Sequence, residues 1–463
     1  MKGALKIGLM DAASAVADCW VTKEVSSVRV IEGFFVRNRK RFVYLHLLMT
    51  GLFLLFIVAP AFLPLPSEED GIFKDFSRFS GFVIWGLWFP LVFLSVIAVG
   101  RLWCGLLCPQ GFLSEYVSRR ALNIKVPAWM RWGGVPVLSF IVVTVFGQIA
   151  GVRDYPLAAM EVFTVTTALA VLTGILFARN RRVWCRHLCP VGPLLGIFSR
   201  LGCVSFERNG ASSSSRAYPC PTFINTSLKK ASSNCIECFR CVNPGDSGSL
   251  RLEFRRPGSE IERIGMKEPN LWEVLFLFSA TGLSLGAFHY QANPMYISFK
   301  QALGEFFLER GLSGIIGKTG PWWVMVNYPA RGEVFNILDC IAIATFMLIS
   351  MIAVALILFS LTFLPALMMR KDEPLLKTVT EKGYLYAPVA LVSLVAGLGL
   401  VLFQSLGGVT GKDAVNSILA VFLAGGAFWS AYLWVRAEGV SARIIPAFLG
   451  IGAIGLLWQM VLF

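Results

Sequence analysis

Long uncharged runs alternate with shorter charged segments along the chain. Nine runs contain no Asp, Glu, Lys or Arg, and they span residues 42–67, 79–100, 132–152, 162–178, 274–299, 340–369, 383–411, 414–435 and 444–463. A helix needs about 20 residues to cross a hydrocarbon layer, so each run is able to form one transmembrane helix, with 162–178 at the short limit. Buried core helices are the alternative, but helices of soluble proteins rarely lack charge on every face. The pattern predicts an all-α integral membrane protein with about nine transmembrane helices.

The charged segments divide the chain into four predicted parts. These are an N-terminal segment at 1–41, four helices at 42–178, a polar module at 179–270, and five helices at 271–463 with an outer loop at 300–339. The first part mixes charged residues with short apolar stretches, so we do not expect a cleaved signal peptide there. The polar module is expected to be small and irregular.

Composition and charge agree with a membrane location and predict an orientation. Hydrophobic residues make up 56% of the chain and charged residues 15%, whereas soluble domains have about 25% charged residues. If the N-terminus is cytoplasmic, 34 of the 42 Lys and Arg residues lie on the cytoplasmic side, as the positive-inside rule requires. The C-terminus is then periplasmic. This asymmetry explains the net charge of +14, which therefore does not indicate a nucleic-acid partner.

Most of the cysteines fall on the predicted cytoplasmic side, where thiols stay reduced. Nine of the eleven do so: Cys104, Cys108, Cys185, Cys189, Cys203, Cys220, Cys235, Cys238 and Cys241. We expect them to bind metal rather than to form disulfides. Cys19 and Cys340 have no partner at a ligand spacing, and we interpret them as small buried hydrophobic residues.

A repeated motif follows the second and the fourth run. Residues 101–111 and 182–192 both read Arg-x-Trp-Cys-x3-Cys-Pro-x-Gly, with Cys104 and Cys108 in the first copy and Cys185 and Cys189 in the second. Residues four apart share one face of a helical turn, and the proline frees the backbone to wrap around a bulky group. Two pairs supply the four thiolates that a [4Fe-4S] cluster needs at the inner membrane surface. A structural zinc site is the alternative, although zinc motifs usually space their cysteines differently.

A third cysteine motif lies inside the polar module. Cys235, Cys238 and Cys241 have the C-x2-C-x2-C spacing of ferredoxins, in which three thiolates bind one cluster. Gly245 stands where the fourth cysteine of a complete ferredoxin motif would be. The fourth ligand is then distant: Cys220, which keeps the Cys-Pro form, or alternatively Cys203. A zinc ribbon, or a cluster held by only three cysteines, remains open at this point.

Taken together, the doubled Trp-Cys-x3-Cys-Pro and the cysteine cluster of the module resemble a membrane family. The family is that of the polyferredoxin-like proteins NapH, the C-terminal half of NosR, and CcoG/RdxA, and the resemblance covers residues 79–256. It implies iron–sulfur electron transfer at a bacterial inner membrane, between a quinone pool and a redox partner. The ligands that it implies are Cys104, Cys108, Cys185, Cys189, Cys235, Cys238 and Cys241. Members with two complete ferredoxin motifs differ from this chain, and the resemblance does not explain residues 274–463.

The C-terminal half is informative mainly through what it lacks. The chain has only three histidines, His46, His187 and His289, which argues against a haem held by two histidines. The outer loop, with Trp322 and Trp323, is interpreted either as a docking site or quinone-pocket border, or as an interfacial anchor. The sequence has no Walker loop, dinucleotide fingerprint or hydrolase triad pattern.

The sequence therefore predicts a membrane electron-transfer protein with two [4Fe-4S] clusters, acting between quinone or another membrane carrier and a redox partner, such as a quinol dehydrogenase component. Two alternatives are an accessory protein that supplies electrons for maturing or reactivating a metalloenzyme, and a redox-sensing transporter. Glu161 and Glu273, near the ends of runs, are interpreted as proton relays or as carboxylates that reach the surface.

Overall fold

A computed structural model describes residues 24–66, 71–208, 219–243, 249–290, 293–369 and 372–462. Cys19, Gly245 and most of the N-terminal segment therefore lie outside the described residues. The helices, in chain order, are α1 (Glu24–Arg37), α2 (Phe42–Val58), α3 (Phe76–Val99), α4 (Pro109–Ser118), α5 (Val135–Ala150), α6 (Pro156–Leu176), α7 (Val183–His187), α8 (Gly192–Ser199), α9 (Ser259–Glu262), α10 (Leu271–His289), α11 (Pro294–Glu309), α12 (Gly314–Gly317), α13 (Ile337–Met369), α14 (Leu375–Gly383), α15 (Ala387–Leu398), α16 (Leu400–Thr410), α17 (Lys412–Glu438) and α18 (Ile445–Leu462). Strands β1 (Val204–Arg208) and β2 (Leu250–Phe254) form one antiparallel sheet, and β3 (Asn327–Tyr328) and β4 (Glu333–Val334) form another.

Within the described residues, seven helices are long and apolar enough to cross a membrane. They are Phe42–Phe62, Phe76–Val99, Pro156–Leu176, Leu271–His289, Ile337–Met369, Lys412–Glu438 and Ala442–Met460. The prediction of a helical membrane protein is confirmed. The other two predicted spans are less regular, since α5 has only 16 residues and the run at 383–411 is divided at Gly399 into α15 and α16. Nine transmembrane helices stay a prediction.

The C-terminal helices pack around α15. Residues 387–397 are all buried, which matches a helix that is hydrophobic on every face. The Tyr386 ring next to its start packs edge to face against Trp434 of α17, with the ring centres 6.0 Å apart. The C-terminal half thus has its own apolar core.

The polar module packs at one end of the helix bundle, which we call the module end. Glu262 of the module faces Arg436 at the end of α17, at 3.9 Å. At the opposite end, Tyr155 before α6 stacks on Tyr328 of β3, with ring centres 3.8 Å apart. The chain passes between these ends through α3, α5 and α6, so the segments after α3 and after α6 both start at the module end.

A buried ionic cluster joins the module to the C-terminal helices. Arg200 lies 2.9 Å from Glu260 and 3.0 Å from Glu273. The Tyr384 hydroxyl donates to Glu273 Oε2 at 2.6 Å, and Arg200 also donates to Ser233 Oγ at 3.3 Å. Glu273 is therefore held in an ion pair and mostly buried, so it does not extend to the surface. We call these five residues the Arg200 cluster.

Helix α1 covers the small sheet of the module. Phe35 stacks on Phe239 with ring centres 4.3 Å apart, and the Leu252 amide donates to Glu32 Oε2 at 3.2 Å. Phe206 of β1 packs edge to face on the same Phe239 ring. The N-terminal helix is thus part of the module's packing.

Candidate iron–sulfur centre

The first cysteine pair lies on a segment that turns back into the bundle after α3. Gly100 ends α3 with a φ of 58°, and a Cβ there would collide with the Glu237 carboxylate. This requires glycine. The turn brings Trp103 back against Trp88 of α3, with the rings edge to face at 5.3 Å. Cys104 follows in a short π-helical turn.

Cys108 stands immediately before α4. Its Sγ accepts a hydrogen bond from the Gly111 amide at 3.4 Å. Gln110 Nε2 donates to Thr166 Oγ1 at 2.9 Å, and Thr166 lies at the middle of α6. The first pair therefore lies beside a residue that reaches the middle of α6, an arrangement that the run lengths could not show because they carry no sign of the turn at Gly100.

The second pair lies on and just after α7. The Cys189 amide donates to the Trp184 carbonyl at 2.8 Å, which folds the motif onto itself. A Cβ at Gly111 would lie 3.3 Å from Cys185 Sγ, and one at Gly192 would lie 3.4 Å from Cys189 Sγ. The glycine that ends each repeat thus gives room to a sulfur, a role that the sequence analysis did not assign.

All four cysteines of the repeated motif line one cavity. Gly111 connects the two motifs: its amide donates to Cys108 Sγ at 3.4 Å, and its Cβ position lies 3.3 Å from Cys185 Sγ. We call Cys104, Cys108, Cys185 and Cys189 the first quartet. The structure brings together the four residues that the repeat predicted.

The surroundings of the first quartet fit an iron–sulfur cluster. Arg101 Nε and Trp184 Nε1 are buried and have no partner among the described residues, and both side chains line the cavity. A cluster's sulfide ions are acceptors for such N–H groups, which otherwise stay unpaired at a cost. Arg101 also places Nη2 3.9 Å from Cys104 Sγ.

A structural zinc site, the alternative named from the sequence, makes a different demand on the cysteines. Among the described residues, no three His, Cys, Asp or Glu side chains converge as one ion requires. A structural zinc site needs such convergence, with each sulfur about 2.3 Å from the metal. In a cubane each thiolate binds a different iron, so the sulfurs stand further apart.

Arg182 holds the two motifs together. It donates to the carbonyls of Cys104 at 2.5 Å and Gly105 at 3.2 Å, and it pairs with Glu115 at 2.6 Å. Arg240 of the module pairs with the same carboxylate. Sequence reasoning missed Glu115, although it is the one acidic residue between positions 101 and 131.

The three cysteines of the ferredoxin motif lie in a tight loop with Cys220. Burial raises the pKa of Cys235 to about 12 and also raises the pKa of Cys238 and Cys241. Cys220 reaches this loop through Thr222: its Sγ lies 3.3 Å from Thr222 Oγ1, which donates to the carbonyl of Asn234, the residue before Cys235, at 3.0 Å. Thiols with raised pKa values stay protonated, and metal binding would release these protons.

Cys203, the alternative fourth ligand, lies elsewhere. Its amide donates to the Ile97 carbonyl at 2.8 Å, and its carbonyl accepts from the Arg255 amide at 2.7 Å. We call Cys220, Cys235, Cys238 and Cys241 the second quartet. The structure places Cys220, and not Cys203, with the ferredoxin motif.

The segments that carry the two quartets touch each other. A Cβ at Gly105 would lie 3.2 Å from the Cys238 amide nitrogen and would collide with the Ile236 carbonyl. Arg101 donates to the Ser233 carbonyl at 2.5 Å. The first motif thus packs directly on the ferredoxin loop, with only a glycine between them.

The match to known proteins falls on the same residues. A family model described as a 4Fe-4S binding domain matches residues 81–127 and 161–206, which contain the first quartet. NirI of Paracoccus denitrificans is 31% identical over 208 residues, covering 37% of this chain and 30% of NirI. The methylamine utilization ferredoxin-type protein MauN of Methylobacillus flagellatus is 30% identical over 125 residues, covering 24% of this chain and 44% of MauN. These similarities support the resemblance to the NapH- and NosR-like 4Fe-4S proteins.

The chain is also similar to archaeal proteins. An uncharacterized protein of Methanocaldococcus jannaschii is 28% identical over 182 residues, covering 34% of this chain and 66% of that protein. The matches to all three relatives thus span less than two thirds of their lengths. No solved structure matches the chain.

The cavity beside the first quartet has a volume of ≈280 Å³ and is mostly apolar. Its walls include Trp85, Trp88 and Phe163, and it reaches Gln148 and Arg153 at the end of α5 and beyond. It therefore runs from the quartet towards the opposite end of the bundle. No described residue of 300–339 lines it, so the outer loop does not border this cavity.

The remaining candidate residues are placed separately. His46 contacts the Phe42 carbonyl at 2.7 Å, whereas His289 contacts the Leu457 carbonyl at 3.3 Å. His187 lies near the Phe223 ring. Glu161 has one buried oxygen without a partner among the described residues, and Trp322 and Trp323 are exposed.

Proposed function

We propose that this protein passes electrons between the quinone pool and a redox partner through two [4Fe-4S] clusters, one on each quartet. A bound cluster accepts and releases one electron at a time. The contact of Gly105 with the loop at Ile236 and Cys238 is the observation that supports the proposal most directly. It leaves no intervening layer of protein between the segments that carry the two quartets.

The charged residues around the quartets suit this role. A cluster with four thiolates is anionic, and a buried anion needs a compensating charge. Arg182 acts on both Cys185 of the first quartet and Cys238 of the second. Its position between the quartets would stabilise an electron on either side.

A quinone in the apolar cavity is the proposed membrane partner. Ligand pockets for apolar cofactors are concave and mostly hydrophobic, with a few polar groups that fix the orientation. The cavity reaches the first quartet, so a quinone ring inside it would lie beside Cys108. Oxidation of one quinol releases two electrons and two protons, which would make the chain a quinol dehydrogenase component.

The redox partner is proposed to bind at the module end. Phe223, three residues after Cys220, has 38% of its surface exposed, and Leu228 has 68%. The second quartet is therefore the one nearer to an accessible surface. With the excess of Lys and Arg on this side, we place the module and the N-terminus in the cytoplasm of a bacterium and the C-terminus in the periplasm.

The first experiment is to measure iron and acid-labile sulfide per chain, with low-temperature EPR after reduction, on protein purified in detergent. The wild type is expected to contain about eight irons in two clusters. Cys104→Ala and Cys238→Ala should each lose one distinct signal, whereas Cys203→Ala should keep both. Zinc without sulfide in the wild type would refute the proposal.

Addition of a short-chain quinol to the oxidised protein tests the quinone partner. Reduction of the clusters favours the respiratory role. The accessory role predicts instead that a cell lacking Cys104 and Cys238 loses metal from a partner enzyme. The transporter role predicts solute transport that continues in a cluster-free variant.

A further inference from the structure

Among the polar side chains that line the cavity beside the first quartet, Gln110 has its amide nitrogen paired and its carbonyl oxygen unpaired by any described residue. Gln110 follows Cys108 and Pro109 at the start of α4 and lines the cavity together with Cys108. Gln110 is therefore a polar residue of the cavity lining that lies only two positions after a cysteine of the first quartet. Gln148 and Arg153 are also polar, but they lie at the other end of the cavity.

The orientation of the Gln110 amide is fixed by its neighbours. Thr166 Oγ1 donates its proton to the Val162 carbonyl at 2.9 Å, so towards Gln110 it is able only to accept. The group that faces it at 2.9 Å is therefore the amide nitrogen of Gln110. The same nitrogen lies 3.3 Å from Thr167 Oγ1. Both amide hydrogens are thus directed to α6.

The Gln110 carbonyl oxygen is left on the other side of the amide. The described residues donate no hydrogen bond to it, and the nearby cavity walls are aromatic, with Phe53, Trp88 and Phe163 among them. A polar acceptor in an apolar cavity is normally paired. A ligand that matches this part of the cavity has a hydroxyl group to donate to Gln110 Oε1 and an apolar ring to pack on the aromatic walls.

We propose that Gln110 Oε1 accepts a hydrogen bond from one hydroxyl of a hydroquinone and so holds its ring against the Cys108 side of the first quartet. This inference rests on the proposed function, because it assigns the head-group position of the quinol in that cavity. The contact is a binding contact and moves no proton. The isoprenoid tail then extends along the cavity towards Arg153.

The proposal makes a specific requirement of the ligand. A hydroquinone with free hydroxyls donates to Gln110, whereas its dimethyl ether has the same ring but no donor. The wild type should therefore bind duroquinol about tenfold more tightly than the dimethyl ether. In Gln110→Leu this preference should disappear, because the leucine accepts no hydrogen bond.

The test uses the purified holoprotein with both clusters loaded. Gln110→Leu is expected to raise the KM for duroquinol about tenfold. The EPR signals after dithionite reduction should be unchanged, which shows that the fold and the clusters are intact. Gln110→Met is the second variant, in case leucine disturbs the start of α4. Gln148→Leu tests the far end of the cavity, and Gln301→Leu, at an exposed position of α11 outside the cavity lining, is the matched control that should keep the wild-type KM.

The possible outcomes distinguish failure of the Gln110 contact from failure of the proposed quinone partner. If duroquinol reduces the wild type and Gln110→Leu with the same KM, the head-group assignment is refuted while the proposed function stands. A raised KM in Gln148→Leu alone would place the head group at the far end, which also refutes it. If duroquinol does not reduce the clusters of the wild type at all, the proposed quinone partner itself fails.

Discussion

The Arg200 cluster gives the sharpest test of how the module is held on the helix bundle. In Arg200→Met, the guanidinium is replaced by an apolar side chain of similar length. Arg200 donates to the carbonyls of Lys267 at 2.8 Å and Glu268 at 3.2 Å, in addition to its carboxylate contacts. The substitution therefore removes the only cation that contacts both Glu260 and Glu273 among the described residues.

The expected loss of stability in Arg200→Met depends on the contacts that Glu260 and Glu273 keep. Glu260 keeps Arg255 and a hydrogen bond from the Ser232 amide at 3.1 Å, whereas Glu273 keeps only the Tyr384 hydroxyl. Removing one partner of a buried ion pair costs about 3–5 kcal/mol, and the remaining contacts of Glu260 place this variant near the lower figure. We expect the free energy of unfolding to fall by about 3 kcal/mol.

The assay is unfolding of the detergent-solubilised protein by SDS, followed by circular dichroism and by the absorbance of the clusters. Arg200→Lys keeps the charge but not the planar set of donors, so its loss should be smaller. Lys377→Met removes the exposed pair with Glu373 and should cause no measurable change. A loss below about 1 kcal/mol for Arg200→Met would refute the reasoning, because surface substitutions reach that size.

The pH dependence of the same difference has a defined sign. Burial acts to raise the pKa of Glu260, but Arg255 and Arg200 lower it below its ordinary value. A carboxyl with a lowered pKa in the folded state stabilises the fold above its unfolded pKa, about 4.3, and this stabilisation is lost as the pH falls further. The difference between the wild type and Arg200→Met should therefore be full at pH 7 and shrink below about pH 4.

Three further predictions concern the quartets and their cover. Cys220→Ser should remove the EPR signal of the second cluster and about four irons, whereas Cys203→Ser should keep both signals; the reverse result would move the fourth ligand to Cys203. Gly105→Ala should displace the loop at Ile236 and slow the reduction of the second cluster in stopped-flow experiments with quinol, and unchanged kinetics would contradict a direct contact. Phe35→Ala should speed the loss of the second cluster to a chelator without affecting the first, and equal loss of both would contradict the role of α1 as a cover.

Much of the fold is predictable because membrane helices carry a strong signal. Long uncharged runs identify the helices, and six of the nine runs overlap a helix that ends within about one turn of the run. The predicted helix boundaries are wrong where a helix contains a charged residue. The run at 162–178 starts after Glu161, whereas α6 begins at Pro156 and includes Glu161. The division at Gly399 and the separate helix α11 also have no signature in charge alone.

The candidate site is also predictable only in part from the sequence. The two cysteine pairs and Cys220 could be selected from the repeat and from the Cys-Pro form, because ligand spacing is local. The depth of the first quartet could not, since it depends on a turn at Gly100 and on the pairing of Gln110 with Thr166. Glu115 and Arg182 are far apart in the chain, so their ion pair is a property of the fold.

The position of α1 has a consequence for the order in which the protein is assembled. Glu32 and Leu252, which are hydrogen-bonded in the fold, are 220 residues apart in the chain. During synthesis α1 therefore leaves the ribosome long before the strand that it covers exists, and it is able to dock only after β2 is complete. Its Phe35 ring packs on Phe239 of the ferredoxin loop, so this cover of the loop is a late step of assembly.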